Sequence, residues 1–186
     1  KFWRFIKIIF SLFCGIQIIL YGMSIRVKKN YLIFKDKQFQ CSIGRAGFSE
    51  DKKEGDGCTP IGTFHVEKIF YRADRIEKLD TNIDKIIINQ FDGWCDDPSQ
   101  KQYNKLIKFP YNFSAERLYR NDSLYNIVCV LNYNTNPIIR GLGSAIFIHV
   151  AHDDYRPTEG CVALNQEDLI LLTSLIDGRT NIVLGD

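Results

Sequence analysis

The sequence predicts a mainly-β domain, a sandwich or barrel-like sheet structure with one late helix, preceded by a hydrophobic N-terminal segment. Three observations carry this. From residue 24 onward, apolar residues come in short runs rich in β-branched and aromatic types, separated by turn formers. Two runs, 125–131 and 145–150, are dense in Ile, Val and Phe. The apolar period switches to that of a helix only once, at 166–176.

Taken in order, residues 24–28, 31–35 and 38–43 read as strands, with Lys29-Asn30 and Asp36-Lys37 as tight turns. Residues 44–60 hold four glycines and a charged cluster and read as a loop. Residues 61–70 form a strand after a Thr-Pro turn, and 83–89 reads as a buried strand. Residues 90–103 carry Gly93, Pro98 and several polar groups, which predicts a long loop of the kind that often serves function. Then come the strands 125–131 and 145–150. In 166–176, Leu169, Ile170, Leu172 and Ile176 fall on one helical face. Asn165 suits the N-cap, Glu167 and Asp168 suit the positive first turn, and Gly178 suits the C′ position. Residues 180–184 close the chain as a strand. The pattern divides the chain into segment 1–23 and a domain 24–186, with no internal repeat.

Composition excludes several classes. Of 186 residues, 45% are hydrophobic and 25% charged, which is ordinary for a globular chain. Lys and Arg total 24 against 22 Asp and Glu, so there is no basic footprint for nucleic acid. Lys1, Arg4 and Lys7 precede an uncharged run of 18 residues, from 8 to 25. A basic start followed by an apolar stretch is the pattern of a secretory signal or an anchor. The run reaches the lower length for spanning a bilayer, and no small-residue cleavage site follows it. Segment 1–23 therefore predicts membrane anchoring, with the domain in the cell envelope on the periplasmic face of the inner membrane. The alternative is a start at Met23, the sole methionine, with no export signal.

The chemistry concentrates late in the chain. His149 ends the strand 145–150, and Cys161 follows twelve residues later within Pro157-Thr158-Glu159-Gly160-Cys161. A cysteine after a glycine at a turn has an accessible sulfur and open backbone N–H groups beside it. Thiolate is the nucleophilic form, and an ordinary thiol needs a nearby base to supply it at neutral pH. N–H groups at Gly160 and Cys161 could hold an oxyanion. Spacing alone fits equally a buried small thiol and a hydrogen-bonded core histidine.

Three ordered segments resemble one family. Ile146-Phe147-Ile148-His149 followed by Thr158-Glu159-Gly160-Cys161-Val162-Ala163-Leu164 is similar to the signature of the bacterial L,D-transpeptidase (YkuD-type) catalytic domain. Asp56-Gly57-Cys58-Thr59-Pro60-Ile61-Gly62-Thr63-Phe64 resembles the family's Thr-Pro-x-Gly-x-Phe segment. Gly93-Trp94-Cys95-Asp96-Asp97-Pro98 with Tyr103-Asn104 resembles one branch of it. The resemblance covers most of 24–186. It implies an L,D-transpeptidase-like β fold in which Cys161 forms a thioester with a peptidoglycan stem peptide and His149 is the general base. It also implies that a carbonyl at Val150 or a neighbour supports the histidine, and that Gly160 and Cys161 supply oxyanion N–H groups. An amine acceptor would make a transpeptidase and water an L,D-carboxypeptidase. No cofactor or metal is implied.

The chain departs from the pattern at two positions. Glu159 stands where the family usually has histidine, and Ala163 where it often has a polar residue. A carboxylate at 159 is expected to oppose ionisation of the thiol. The two departures also admit a non-catalytic wall-binding domain. Thr158, Trp94, Tyr103 and Arg140 are the candidate substrate-binding residues, with Arg45 and Arg156 as further cations for a substrate carboxylate. His152 either takes part of the missing histidine's role or is solvated. Cysteines 41, 58, 95 and 129 allow three disulfide pairings or none. His149 and His152 with Cys161 or Cys95 are the weaker alternative of a zinc site, lacking the usual ligand spacings.

Overall fold

The computed structural model describes residues 24–185. The segment 1–23, expected to anchor the chain, lies outside the described residues. Among those described, no helix is long and apolar enough to cross a membrane.

The fold is mainly β, as the sequence predicts. Its first sheet contains β1 (Ile25–Val27), β2 (Tyr31–Phe34) and β3 (Lys37–Gln40). A short pair, β4 (Phe48–Ser49) and β5 (Thr59–Pro60), precedes β6 (Gly62–Phe64) and β7 (Val66–Tyr71). Next come β8 (Lys85–Ile87), β9 (Asp92–Cys95), β10 (Leu106–Lys108) and β11 (Ala115–Arg117). The chain finishes with β12 (Ile127–Leu131), β13 (Phe147–Val150), β14 (Val162–Leu164), helix α1 (Gln166–Leu175) and β15 (Ile182–Leu184). These strands form two five-stranded sheets, ordered β3-β2-β1-β15-β6 and β14-β13-β12-β7-β8. A three-stranded sheet β10-β9-β11 and the β4-β5 pair complete the structure.

The second five-stranded sheet is covered on both faces, which explains the unbroken apolar runs in β12 and β13. On one face Ile69, Ile127, Cys129, Leu131, Ile148 and Val150 pack with Ile25, Val27 and Leu32 of the first sheet and with Leu169 and Leu172 of α1. On the other face Phe70, Val128, Val130 and Phe147 pack against Trp94 and Leu118. The Trp94 ring meets Phe147 edge-on at 5.3 Å and Phe70 at 6.3 Å. The three-stranded sheet thus lies over the face of β13 that also carries His149.

Several elements differ from the sequence reading. The strand expected over 61–70 is divided: β6 pairs with β15 in one sheet, β7 with β12 in the other. The run 83–89 is a short edge strand, exposed at all three β8 residues. Its isoleucines mark β propensity, and no neighbouring layer covers them. The predicted loop 90–103 contains β9, buried at every position. It is the central strand of its sheet, so its glycine and aspartate lie inside rather than in a turn. The β2–β3 turn is centred on Lys35 and Asp36, with Lys35 in the left-handed region (φ 55°). Asn165 caps α1, its side-chain oxygen accepting the N–H of Asp168 at 2.8 Å. Gly178 is not the C′ residue: the helix ends at Leu175, and Ile176 turns out in an extended conformation to bury its own side chain.

Candidate active site

Parallel pairing of β13 with β14 sets Ile148 opposite Val162 and His149 opposite Ala163. Strand side chains alternate, so Val162 and Leu164 enter the main core. Cys161 then falls on the opposite face, with Phe147 and His149. Cys161 and His149 both line a cavity of about 450 Å³.

The turn carrying Cys161 is held by two threonine hydroxyls. The Thr158 hydroxyl accepts the Gly160 N–H at 3.1 Å and donates to the Cys161 carbonyl at 2.6 Å. The fully buried Thr59 hydroxyl donates to the Gly160 carbonyl at 2.9 Å and accepts the Gly44 N–H at 2.9 Å. Gly160 sits at φ +141°, and a β-carbon there would lie 2.7 Å from the Cys58 carbonyl oxygen, so only glycine fits. Backbone bridges Ser42↔Ala163 and Gly44↔Thr158 tie the same turn to the segment after β3.

At rest the sulfur is engaged with backbone. The Cys161 thiol donates to the Ala145 carbonyl at 3.1 Å and accepts the Phe147 N–H at 3.4 Å. Burial pushes this thiol up to about 12; the Glu116 carboxylate acts in the same direction, while the Phe147 N–H and Lys52 oppose it. His149 Nδ1 lies 2.8 Å from the Val150 carbonyl oxygen, which leaves Nε2 as the uncommitted ring nitrogen. Burial pushes the imidazole down to about 4. The Tyr125 ring packs edge-on against it at 5.4 Å. At neutral pH these shifts favour the neutral thiol and the neutral imidazole.

The other expected site residues are placed as follows. Thr158 lines the cavity, with its hydroxyl committed to the turn. Trp94 and Tyr103 are buried and do not line it. Trp94 Nε1 donates to Asn104 Oδ1 at 2.9 Å, and the same oxygen accepts the Ala145 N–H at 3.0 Å. The Tyr103 hydroxyl donates to Glu54 at 2.5 Å and accepts the Gly143 N–H at 3.0 Å. Both side chains thus fix the 143–145 backbone whose carbonyl receives the thiol. Arg140 is exposed on a turn away from the cavity. The Gly160 N–H, expected to help hold an oxyanion, is occupied by Thr158 in this resting arrangement. Glu159 lines the cavity as well, with its carboxylate bound to Arg45 at 2.9 Å and both side chains largely exposed. The carboxylate that opposes thiol ionisation is Glu116 rather than Glu159. His152 lines the cavity and accepts from Arg156 at 3.1 Å. All five described cysteines are free thiols. Among the described residues no three His, Cys, Asp or Glu side chains cluster as a metal site would need.

The L,D-transpeptidase catalytic domain (YkuD) family model matches residues 25–184. The chain belongs to this family. Among solved structures, Bd1075 of Bdellovibrio bacteriovorus matches with a TM-score of 0.45 and 18% identity over 86% of this chain. This chain spans less than half of that one, 46% of its length. No curated protein matches significantly.

For an L,D-transpeptidase domain, the site contains side chains that sequence reasoning did not single out: Lys52, Glu116, Arg120 and Tyr125 line the cavity. They come from two distant stretches of chain, around 52 and 116–125, and the β9–β11 pairing that sets Glu116 opposite Trp94 is what brings Glu116 there. Thr59, read as a turn former, was visible only through its place in the Thr-Pro-x-Gly-x-Phe segment.

Proposed function

We propose that this domain is an L,D-transpeptidase that acts on peptidoglycan stem peptides through a Cys161 thioester. The observation that carries this reading is the shared cavity of Cys161 and His149, with the histidine's Nδ1 committed to the Val150 carbonyl. In the first half-reaction Cys161 Sγ attacks a stem-peptide carbonyl carbon and its proton passes to His149 Nε2. The carbon–nitrogen bond to the terminal D-amino acid breaks, and the leaving amine takes that proton. In the second, an amine of another stem peptide attacks the thioester and gives its proton to His149. The sulfur–carbon bond breaks and the thiol is restored. The Cys161 N–H faces the developing oxyanion, and release of the Gly160 N–H from Thr158 adds a second donor. Segment 1–23 holds the domain at the periplasmic face of the inner membrane.

The test is mass spectrometry of products after mixing the full chain with a purified tetrapeptide muropeptide, beside Cys161→Ala. Cys161-dependent dimers lacking one D-alanine are expected. Shortened monomers alone would replace the reading with an L,D-carboxypeptidase. Identical products from both proteins would refute cysteine catalysis and favour a wall-binding domain. His149→Ala should lower the rate about 10²–10⁴-fold, the usual loss for a general base. Reporter fusions at the C-terminus test the envelope placement, which a cytoplasm-only signal would overturn.

A further inference from the structure

The Cys161 thiol rests against a backbone segment that the structure holds in an unusual shape. Ala145, whose carbonyl receives the thiol at 3.1 Å, lies in the left-handed region at φ 52°, and Gly143 lies at φ 102°. A non-glycine residue keeps such a conformation only where its surroundings impose it. Here Asn104 accepts the Ala145 N–H at 3.0 Å, and Asn134 donates to the Gly143 carbonyl at 2.8 Å. Glu54 completes the hold from the loop between β4 and β5. Its backbone N–H donates to the Gly141 carbonyl at 2.9 Å. One carboxylate oxygen, Oε2, accepts the Ser144 hydroxyl at 2.8 Å and the Tyr103 hydroxyl at 2.5 Å. The Tyr103 oxygen in turn accepts the Gly143 N–H at 3.0 Å. Glu54 lines the Cys161 cavity. Lys52, a cation of the same loop that also lines the cavity, is bound to Asp56 instead, at 2.5 Å. Further along, Thr59 holds the Gly160 carbonyl. One stretch of chain, 54–59, therefore grips both the turn that carries the sulfur and the segment that receives it.

We propose that Glu54 is a positioning residue of the thiol site: by binding Ser144 and Tyr103 it sets the Ala145 carbonyl that receives the Cys161 sulfur, and so the place from which the sulfur attacks. The role needs reach to both hydroxyls and an oxygen that accepts them. It does not need negative charge. Glutamine meets both requirements, its amide oxygen standing in for Oε2. Alanine meets neither. Ser144→Ala removes only the hydroxyl beside Ala145 and leaves Glu54 on Tyr103. A thiol that donates to a fixed carbonyl is held in its neutral form. When that carbonyl drifts, the sulfur ionises and alkylates more readily, yet it no longer starts from the geometry for attack.

The turnover arm of the test rests on the transpeptidase reading; the alkylation arm does not. In the alkylation arm, the Cys161 sulfur of the full-length protein displaces iodide from iodoacetamide, forming the S–C bond and losing its proton to His149 or water. Peptide mass spectrometry reads each thiol separately. Glu54→Ala should alkylate Cys161 about 3- to 10-fold faster than wild type, the range set by loss of one hydrogen bond to the thiol. Ser144→Ala should move the same way by at least about twofold. Glu54→Gln should return the rate to within about twofold of wild type, because the acceptor is kept. Cys41 and Cys129, buried in the main core, gauge general loosening and should keep wild-type rates throughout. In muropeptide turnover, Glu54→Ala should lose about tenfold or more in kcat with KM within about threefold, since a small displacement of a catalytic group acts on the chemical step. Glu54→Gln should recover most of that loss. Wild-type alkylation of Cys161 in Glu54→Ala, or in Ser144→Ala where Glu54→Ala does not fold, would overturn the proposal. So would a rise shared by Cys41 and Cys129, which would leave Glu54 a stabilising residue only. A Glu54→Gln protein that behaves as Glu54→Ala would replace positioning with charge. If the wild-type protein turns over no muropeptide, the peptidoglycan reading fails and the alkylation rates decide the proposal alone.

Discussion

Replacing Thr59 with valine removes one hydroxyl and keeps the shape of the side chain. Thr59 is fully buried, and its oxygen joins two backbone groups from distant parts of the chain, the Gly44 N–H and the Gly160 carbonyl, each at 2.9 Å. Both glycines are buried, so water does not replace the lost partner. A buried polar group left without a partner costs about 1–3 kcal/mol. With two such groups, Thr59→Val should destabilise the domain by about 2–5 kcal/mol. For a urea slope of about 2 kcal/mol/M that moves the unfolding midpoint down by roughly 1–2 M. Thr59→Ser keeps the hydroxyl and loses one methyl, a change of about 1 kcal/mol. The assay is urea unfolding of all three proteins by fluorescence, with site-resolved alkylation of Cys161 beside it, because the Gly160 carbonyl directly precedes Cys161. A valine variant no less stable than the serine variant would refute the claim that this hydroxyl holds the turn.

Three further outcomes follow from the site. The His149 value of about 4 lies below the usual histidine value, so between about pH 4 and 6.5 the unfolded chain binds the proton the native site refuses. Stability is full above about pH 6.5 and declines toward pH 4 by about 3 kcal/mol; His149→Gln should flatten that decline, and an unchanged slope in urea titrations at pH 7 and 4.5 would contradict it. Gly160→Ala brings a β-carbon 2.7 Å from a backbone oxygen at φ +141°. It should cost at least about 2 kcal/mol, seen as a fall in Tm with altered Cys161 alkylation, whereas a wild-type Tm would show that the turn yields. Glu159 is largely exposed and turned to Arg45, so Glu159→Gln should change stability by less than about 1 kcal/mol and Cys161 alkylation by less than about twofold. A larger rise in alkylation would return to Glu159 the role assigned here to Glu116.

What was legible in the sequence tracks how local each signal is. Cys161 and His149 stand out because a strand end and a Gly-Cys turn are short patterns, and Asn165 because capping is decided within one turn of helix. Glu116 and Tyr125 carry no such signal. Glu116 reaches the cavity through β11 pairing with β9, and Tyr125 through packing on Phe147 and His149, contacts between stretches far apart in the chain. Strand β9 itself was hidden because Asp92-Gly93-Trp94-Cys95 has the composition of a turn. Asp92 is tolerated in the interior by its ion pair with Lys108 and by accepting the Asn89 N–H at 2.8 Å. The opposite error at 83–89 has the same origin: an isoleucine run states that a strand forms, while whether it is covered depends on which layer reaches it. Trp94 and Tyr103 were read as cleft aromatics on good chemical grounds, yet each has a polar atom that finds a backbone-holding partner in the interior, which aromatics with polar handles do when buried.

The resting electrostatics constrain how any acyl transfer here must start. With burial pushing the thiol up to about 12 and the imidazole down to about 4, the neutral thiol and neutral imidazole are favoured over separated charges. A stable thiolate–imidazolium pair is therefore not the ground state, and the sulfur remains bonded to the Ala145 carbonyl instead. Proton transfer must then accompany attack, so that negative charge passes from sulfur to the carbonyl oxygen as it forms, where backbone N–H groups receive it. Such a site gains little from a permanently reactive thiol and is protected by lacking one, since the ionised form of cysteine is the one that oxidises. The same reasoning locates the cost of the arrangement. In the proposed reaction the substrate displaces the sulfur from Ala145 and draws the Gly160 N–H from Thr158, and the second of these is opposed by the rigidity that Thr59 and Thr158 give the turn.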